Sequence, residues 1–202
     1  MFITFEGPEG SGKSTLISGL AEVLRQRGVD VVVTREPGAG EVGRQIRQIL
    51  LHGGRLDPKA ELFLFLADRS QHVATVIQPA LERDAWVLCD RHADSTLVYQ
   101  GYGRGLDLDL LRAWNRFATG GCVPDLTLLL DLDPAVGLAR ISAKDRLDAE
   151  PMEFHRRIRE GFLAEAAGDA ARWVILDASR PVQNVLAQAI QEIESRTPGC
   201  AR

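Results

Sequence analysis

The chain has 202 residues, 45% of them hydrophobic and 26% charged, which suits one domain spanning residues 1–202 with a sizeable core. Its net charge of −4 argues against broad electrostatic attraction to nucleic acid or an anionic membrane, although a local basic pocket can still hold phosphate. Cys89, Cys122 and Cys200 form no C-x-x-C pair and the four histidines show no H-E-x-x-H spacing, so neither a disulfide framework nor an imidazole metal site is indicated and a reducing cytoplasm fits best.

The first strand begins almost at once, at Phe2-Ile3-Thr4-Phe5, with no basic-then-apolar leader, and no apolar run reaches membrane-spanning length. Gly7-Pro8-Glu9-Gly10-Ser11-Gly12-Lys13-Ser14 follows and fits G-x-x-x-x-G-K-[S/T]. The glycines let the backbone curl with its N–H groups inward around a phosphate. Lys13 brings a charge that reaches β- and γ-phosphates, Ser14 offers a hydroxyl to magnesium, and Thr15 adds another hydroxyl. Leu16, Leu20, Val23 and Leu24 then recur at helical spacing, completing strand, loop and helix. With three lysines against 21 arginines, a lysine at this position is not incidental.

Val29 to Val33 reads as a second strand buried on both faces, ending at Thr34-Arg35-Glu36-Pro37-Gly38. Ligands sit at the C-terminal ends of parallel strands, which puts Arg35 on the phosphate-loop edge, against the plainer reading of a surface arginine in a turn. A short helix is expected over Glu41 to Leu51. A longer one starts near Asp57-Pro58, and its apolar centre, Leu62 to Ala67, implies burial on more than one side or pairing with another subunit. Phe65 and Arg69 share a face of that helix and suit a nucleobase by stacking and hydrogen bonding; on sequence alone a core Phe and a surface Arg is the more ordinary arrangement.

Trp86 to Cys89 is a third strand, and Asp90 at its tip is placed to hold magnesium or its waters, with Arg91 facing the transferred phosphate. The polar stretch Asp94-Ser95-Thr96-Leu97-Val98-Tyr99-Gln100-Gly101 is either a wall that reads a sugar or base or a solvated helix start. A helix over Leu106 to Phe117, a fourth strand over Leu126 to Leu132 and a helix from about Pro134 come next. The charged stretch from Arg140 through Lys144 and Arg146 to Asp148 is a candidate lid, about 140–150, unless it is a solvated helix end. A helix over Glu153 to Ala167, a fifth strand over Arg172 to Leu176 and a helix over Val182 to Ile193 complete a doubly wound α/β pattern, with a frayed tail expected at Gly199 to Arg202.

Taken together, Phe5 to Ser14, Thr34 to Gly38, Asp90-Arg91-His92, Tyr99-Gln100-Gly101, Asp145 to Asp148 with Phe154-His155, and Leu176-Asp177-Ala178 make the chain resemble the thymidylate kinases almost end to end. The resemblance implies a P-loop nucleoside monophosphate kinase fold: a five-stranded parallel sheet with helices on both faces and a short lid. It implies phosphorylation of dTMP to dTDP with ATP and Mg2+, and a homodimer built partly on the apolar long helix. Glu9 would accept a hydrogen bond from the sugar 3′-hydroxyl, Phe65 would stack on thymine, and Arg69, Thr96 and Gln100 would contact the base, with Ser95 in the same wall. Tyr99 would crowd a 2′-hydroxyl. Arg35 and Arg91 would hold the acceptor phosphate, Asp90 would order magnesium, and adenine would lie near Asp177-Ala178-Ser179. Two departures stand out. Ala39-Gly40 occupy the place where the family often has Gly-Thr, which removes a hydroxyl, and the lid offers only Arg140, Lys144 and Arg146 where members with this kind of loop are usually arginine-rich. A kinase for another nucleoside monophosphate is the alternative within the class. A GTP-dependent switch is the alternative outside it, opposed by the lack of an Asn-Lys-x-Asp motif.

Overall fold

The computed structural model describes residues 1–197, so the tail expected at Gly199 to Arg202, including Cys200, lies outside the described residues. Five parallel strands form one sheet in the order β2-β3-β1-β4-β5: β1 (Phe2–Glu6), β2 (Val31–Arg35), β3 (Trp86–Asp90), β4 (Leu126–Asp131) and β5 (Trp173–Asp177). Registers of Phe5 and Arg35 with Asp90, and of Asp131 with Asp177, bring the C-terminal strand ends to one edge. Polar chemistry collects there because loops leave the core at that edge, while β1 itself is buried throughout at the centre of the sheet.

Helix α1 (Lys13–Gln26) follows the loop, and its buried Leu16, Leu20 and Leu24 pack with Ile3, Phe5, Leu88, Leu128 and Leu130 on one face of the sheet, joined by α9 (Val182–Arg196). The other face is covered by α8 (Met152–Gly168), whose Phe154, Ile158 and Phe162 meet Leu129, Tyr99 and Trp173. The helix α2 (Gly40–His52) and α3 (Pro58–His72) follow β2. α3 starts as its sequence dictates: the Asp57 side chain accepts from Lys59 N at 2.9 Å, and Pro58, lacking an N–H, stands in the first turn. Pro79 is tolerated late in the same rod because Val73–Ile77 widens into a π-helical turn before α4 (Gln78–Glu82). A second π-helical turn, Leu97–Gly103, extends α5 (Ala93–Thr96), and α6 (Leu108–Thr119) and α7 (Pro134–Ala139) complete the set.

One strand differs from the sequence expectation. β2 begins at Val31 rather than Val29 and is an edge strand, with alternating burial that leaves Val33 45% exposed. A run of β-branched residues reports strand propensity, not rank within the sheet, so a Val-rich edge reads like a centre. The charged stretch after α7 is also not uniform. Leu147 is buried in the core and the Asp145 carboxylate accepts from Leu147 N and Asp148 N at 2.8 and 2.9 Å, so residues 145–148 are anchored.

Candidate active site

The phosphate loop owes its shape to backbone that only glycine fits. Gly10 has φ of +68°, and a Cβ there would run into the Gly137 carbonyl, just as one on Gly137 would meet the Glu9 carbonyl. The loop is therefore seated directly on α7. Gly12 caps α1 in the left-handed conformation, and the first turn of that helix holds no acidic residue, leaving its N–H groups free for an anion. Lys13 curls back over the loop, its Nζ donating to the carbonyls of Gly7 (3.1 Å) and Pro8 (2.9 Å) and lying 3.4 Å from Ser11 Oγ. Burial and the nearby Arg91 charge lower its pKa, while Glu9, Asp90 and Glu6 oppose that shift.

A cavity of about 610 Å³ opens above the loop, lined by Gly10 to Thr15 together with Arg35, Asp90, Arg91 and Arg140. Ser14 Oγ donates to Asp90 Oδ2 at 3.2 Å, and Asp90 Oδ1 is buried with no protein partner among the described residues. Arg91 adopts φ of +69°, a strained conformation for arginine that turns its guanidinium under the loop. There it donates to Glu9 Oε1 (2.7 Å), the Gly7 carbonyl (3.1 Å) and Ser95 Oγ (3.3 Å). Glu9 also accepts from Tyr99 OH at 2.7 Å. Burial raises the Glu9 pKa, but Arg91 and Lys13 outweigh it and bring the carboxyl down to about 2, so Glu9 is a carboxylate at any ordinary pH.

Beside this cavity lies a narrower cleft of about 90 Å³, lined by Phe65, Arg69, Ser95, Thr96, Tyr99 and Gln100. The two share Glu9, Glu36, Arg47 and Arg91 as a common wall. Arg69 is 1% exposed, so it is not the surface residue its type suggests, and the stretch from Asp94 to Gly101 is buried rather than a solvated helix start. Gln100 Nε2 donates to the buried carboxylate of Glu61 at 2.9 Å, leaving its carbonyl free for the cleft. Glu6, beneath Arg91, accepts from Ser95 Oγ at 2.6 Å and His92 N at 2.9 Å. Burial, then the charge of Asp94, pushes the Glu6 pKa up to about 7 against the opposing pull of Arg91.

The sequence-predicted residues divide accordingly. Arg35 is exposed and lines the large cavity. Arg140 reaches the loop from the end of α7, its Nη1 donating to the Gly10 carbonyl at 3.2 Å. Arg146 is drawn elsewhere: its Nε donates to the Leu50 carbonyl at 2.8 Å, and its Nη2 forms a close ion pair with Glu61 at 2.6 Å, so that it lines neither cavity. Lys144 is exposed and lines neither cavity. Of Asp177, Ala178 and Ser179, only Ala178 lines the large cavity. Asp177 closes a local turn by accepting from Ser179 N at 3.0 Å, and it pairs with Arg180, which joins Val182 in the cavity wall.

Arg47, Glu36 and Arg180 were not anticipated. Arg47 is half-buried in the common wall, its Nη1 donating to the Pro37 carbonyl at 2.8 Å. In sequence it is one of two arginines on an amphipathic helix, and only the packing of α2 against the Pro37 loop marks it out.

Known proteins resemble this chain over nearly its whole length. The family model described as Thymidylate kinase matches residues 5–189. The chain is similar to a thymidylate kinase of Desulfovibrio desulfuricans, 52% identical over 96% of this chain and 95% of that one. It is also 52% identical to a thymidylate kinase of a Synechococcus species, over 98% of this chain and 96% of the other. Among solved structures it is similar to thymidylate kinase from Ehrlichia chaffeensis, with a TM-score of 0.82 and 35% identity over 96% of this chain and 98% of that one.

Proposed function

The chain belongs to the thymidylate kinase family, and we propose that it transfers the γ-phosphoryl group of ATP, with magnesium, to dTMP, yielding ADP and dTDP as a step toward dTTP. The observation that carries the detailed reading is the common wall. A phosphate cradle and a base-sized cleft meet at Arg91, Glu9 and Arg47, where two phosphate chains would be brought end to end.

The attacking atom is an oxygen of the dTMP phosphate. A monoester's second pKa is about 6, so that oxygen is already ionised near neutral pH and needs no general base. It forms a bond to the γ-phosphorus as the bridging β–γ P–O bond breaks, and the electron pair of that bond goes to ADP. Lys13 leaves the loop carbonyls for the β- and γ-phosphates, Arg35 and Arg91 hold the acceptor phosphate, and Arg140 reaches across from the end of α7. Glu9, fixed as a carboxylate by Arg91, accepts from the sugar 3′-hydroxyl. Phe65 stacks on the base, Arg69, Thr96 and Gln100 meet its edge, and Tyr99 closes the sugar end.

The residues present fit magnesium, because Ser14 and the unpartnered Asp90 carboxylate oxygen face the cradle and would hold the ion or its waters. When bound, magnesium neutralises charge on the β- and γ-phosphates. We assign adenine to the Ala178 and Val182 side of the large cavity. We confine the lid to residues 140–144, since the segment beyond is anchored.

We further read the protein as a homodimer. Phe63 is 55% exposed on α3 and stacks on Trp114 of α6 at 5.2 Å, beside Phe117, which is 88% exposed, an apolar face of the kind that pairs with a second copy. Sedimentation of Phe63→Glu against the parent protein tests this, and a parent that is already a monomer would refute it. The free thiols of Cys89 and Cys122 suit the reducing cytoplasm. The chemistry is tested by ADP release with a panel of nucleoside monophosphates and a blank without acceptor: turnover strongly favouring dTMP is expected, and preference for another monophosphate would remove the base-cleft assignment.

A further inference from the structure

Arg69 is held from four sides before any ligand enters. Its Nε donates to Glu36 Oε2 at 2.8 Å, its Nη1 to Thr96 Oγ1 and Asn115 Oδ1, both at 2.7 Å, and its Nη2 to the His92 carbonyl at 2.9 Å. A guanidinium carries five N–H donors, so a single one, on Nη2, has no acceptor among the described residues, and Arg69 lines the cleft. Thr96, already accepting from Arg69, keeps its own hydroxyl proton for a ligand.

Two of these partners are themselves locked in orientation. Asn115, 5% exposed on α6, donates its Nδ2 to the Ala93 carbonyl at 3.1 Å, which turns its Oδ1 toward Arg69. It borders the hollow on the far side of the wall, beside Cys122 and Arg172, and does not line the base cleft. The Oε1 of Glu36 accepts from the Nδ1 atoms of His72 (2.9 Å) and His92 (2.8 Å), so Oε2 is the oxygen that faces Arg69.

We infer that Asn115 and Glu36 are positioning residues that set discrimination of the acceptor base by fixing the plane of Arg69 and leaving it one donor. The inference rests on the reading of Arg69 as a contact to the base edge. A base presenting an acceptor opposite that donor is satisfied. A base presenting an amino group meets donor against donor, which is costly in a dry cleft. Without the Asn115 acceptor the guanidinium has a second free N–H and can pivot, and both affinity and discrimination fall.

The test is steady-state kinetics of Asn115→Leu and Asn115→Asp with dTMP, dCMP and ATP varied in turn. The Leu variant removes the acceptor. The Asp variant keeps an oxygen facing Arg69 but breaks the bond to Ala93, so it separates the two contacts. For Asn115→Leu we expect KM for dTMP to rise about 10-fold or more, the scale of a lost hydrogen bond to a charged group, with KM for ATP nearly unchanged and the dTMP-over-dCMP ratio of kcat/KM reduced. Asn115→Asp should restore the dTMP KM to within about threefold. Equal defects in Leu and Asp, a parallel rise in the ATP KM, or an unchanged dTMP-over-dCMP ratio would each overturn the inference. Should the Leu variant fail to fold by thermal melt, Asn115→Ala carries the same comparison. Arg69→Ala is the control: if it leaves the dTMP KM unchanged, the base-reading role itself fails. If it raises that KM while Asn115→Leu does not, only the positioning role fails.

Discussion

The two halves of the site are built from different materials. The phosphate cradle is backbone: eight contiguous residues, shaped by glycines at positive φ and seated on α7 through contact between Gly10 and Gly137. The base cleft is side chain: Phe65, Arg69, Thr96, Gln100 and the residues behind them come from α3, α5, the π-helical turn and α6, and are fixed by buried hydrogen bonds. A backbone cradle recognises what every nucleotide shares and tolerates little change of shape. A side-chain cleft recognises what differs between bases, and each of its contacts can be removed singly. Damage on the cradle side should therefore appear in kcat, and damage on the cleft side in the affinity for one substrate.

The largest effect is expected at the lid. Cationic fingers in phosphoryl transfer are worth about 10³ to 10⁵ in rate, and only Arg140 of the three lid cations touches the loop, so Arg140→Ala should lower kcat by about 10³ with a much smaller change in either KM. Arg146→Ala should instead leave kcat within about 10-fold and lower the melting temperature, because it removes one of the two arginines paired with buried Glu61 and leaves Arg104 alone there. Single-turnover rates of Arg140→Ala, Lys144→Ala and Arg146→Ala decide it. A dominant kcat defect in Arg146→Ala would mean that the anchored segment swings free during turnover.

The same contrast explains what could be read in the sequence. The cradle was legible because its chemistry is local: glycine spacing, one lysine and one serine define it without any tertiary contact. That parallel strands present their C-terminal ends on one edge followed from the alternation of strands and helices, and the position of Asp90 on that edge from its place at a strand tip. The reading of the cleft as a base site came from family resemblance, since nothing in the spacing of Phe65 and Arg69 distinguishes a base site from a core Phe and a surface Arg. The supporting residues were hidden altogether. Glu36, Glu61 and Asn115 are charged or polar residues that composition assigns to the surface, yet all three are at most 5% exposed because their partners satisfy them. The edge position of β2 was missed for a related reason: its neighbours, not its own residues, determine it.

Glu6 lies under the wall that the two halves share, and it gives the comparison a pH dependence. Its pKa is raised from 4.5 to about 7 in the folded protein, chiefly by burial. Between those values the folded state binds a proton that the unfolded state has released, so this contribution to stability is complete below about pH 4.5 and is lost as pH rises through about 7. The full loss is about 3 kcal/mol, taking about 1.4 kcal/mol for each pKa unit. Urea unfolding of the ligand-free protein from pH 5 to 8 should show the parent losing stability relative to Glu6→Gln on that scale. Parallel curves for the two proteins would mean that Glu6 stays ionised throughout, held by Arg91.

The smallest effect is the most selective. Phe65 is half-buried, packing against the core cluster that holds Leu51 and Leu147 while also lining the cleft. Phe65→Ala removes a stacking surface worth on the order of 2 kcal/mol to a bound ring, so dTMP binding should weaken about 10- to 50-fold while ATP binding is unchanged, as titration calorimetry with each nucleotide would read. Phe65 also supports Leu51, whose neighbour Leu50 offers its carbonyl to Arg146, so some loss of stability is expected alongside. The two contributions separate by ligand: destabilisation alone would weaken both nucleotides in proportion to the fraction unfolded, whereas loss of stacking touches dTMP alone. Equal weakening of both ligands in protein that is still folded would make Phe65 a core residue, and the cleft would then read its base by the hydrogen bonds of Arg69, Thr96 and Gln100 without a stacking face.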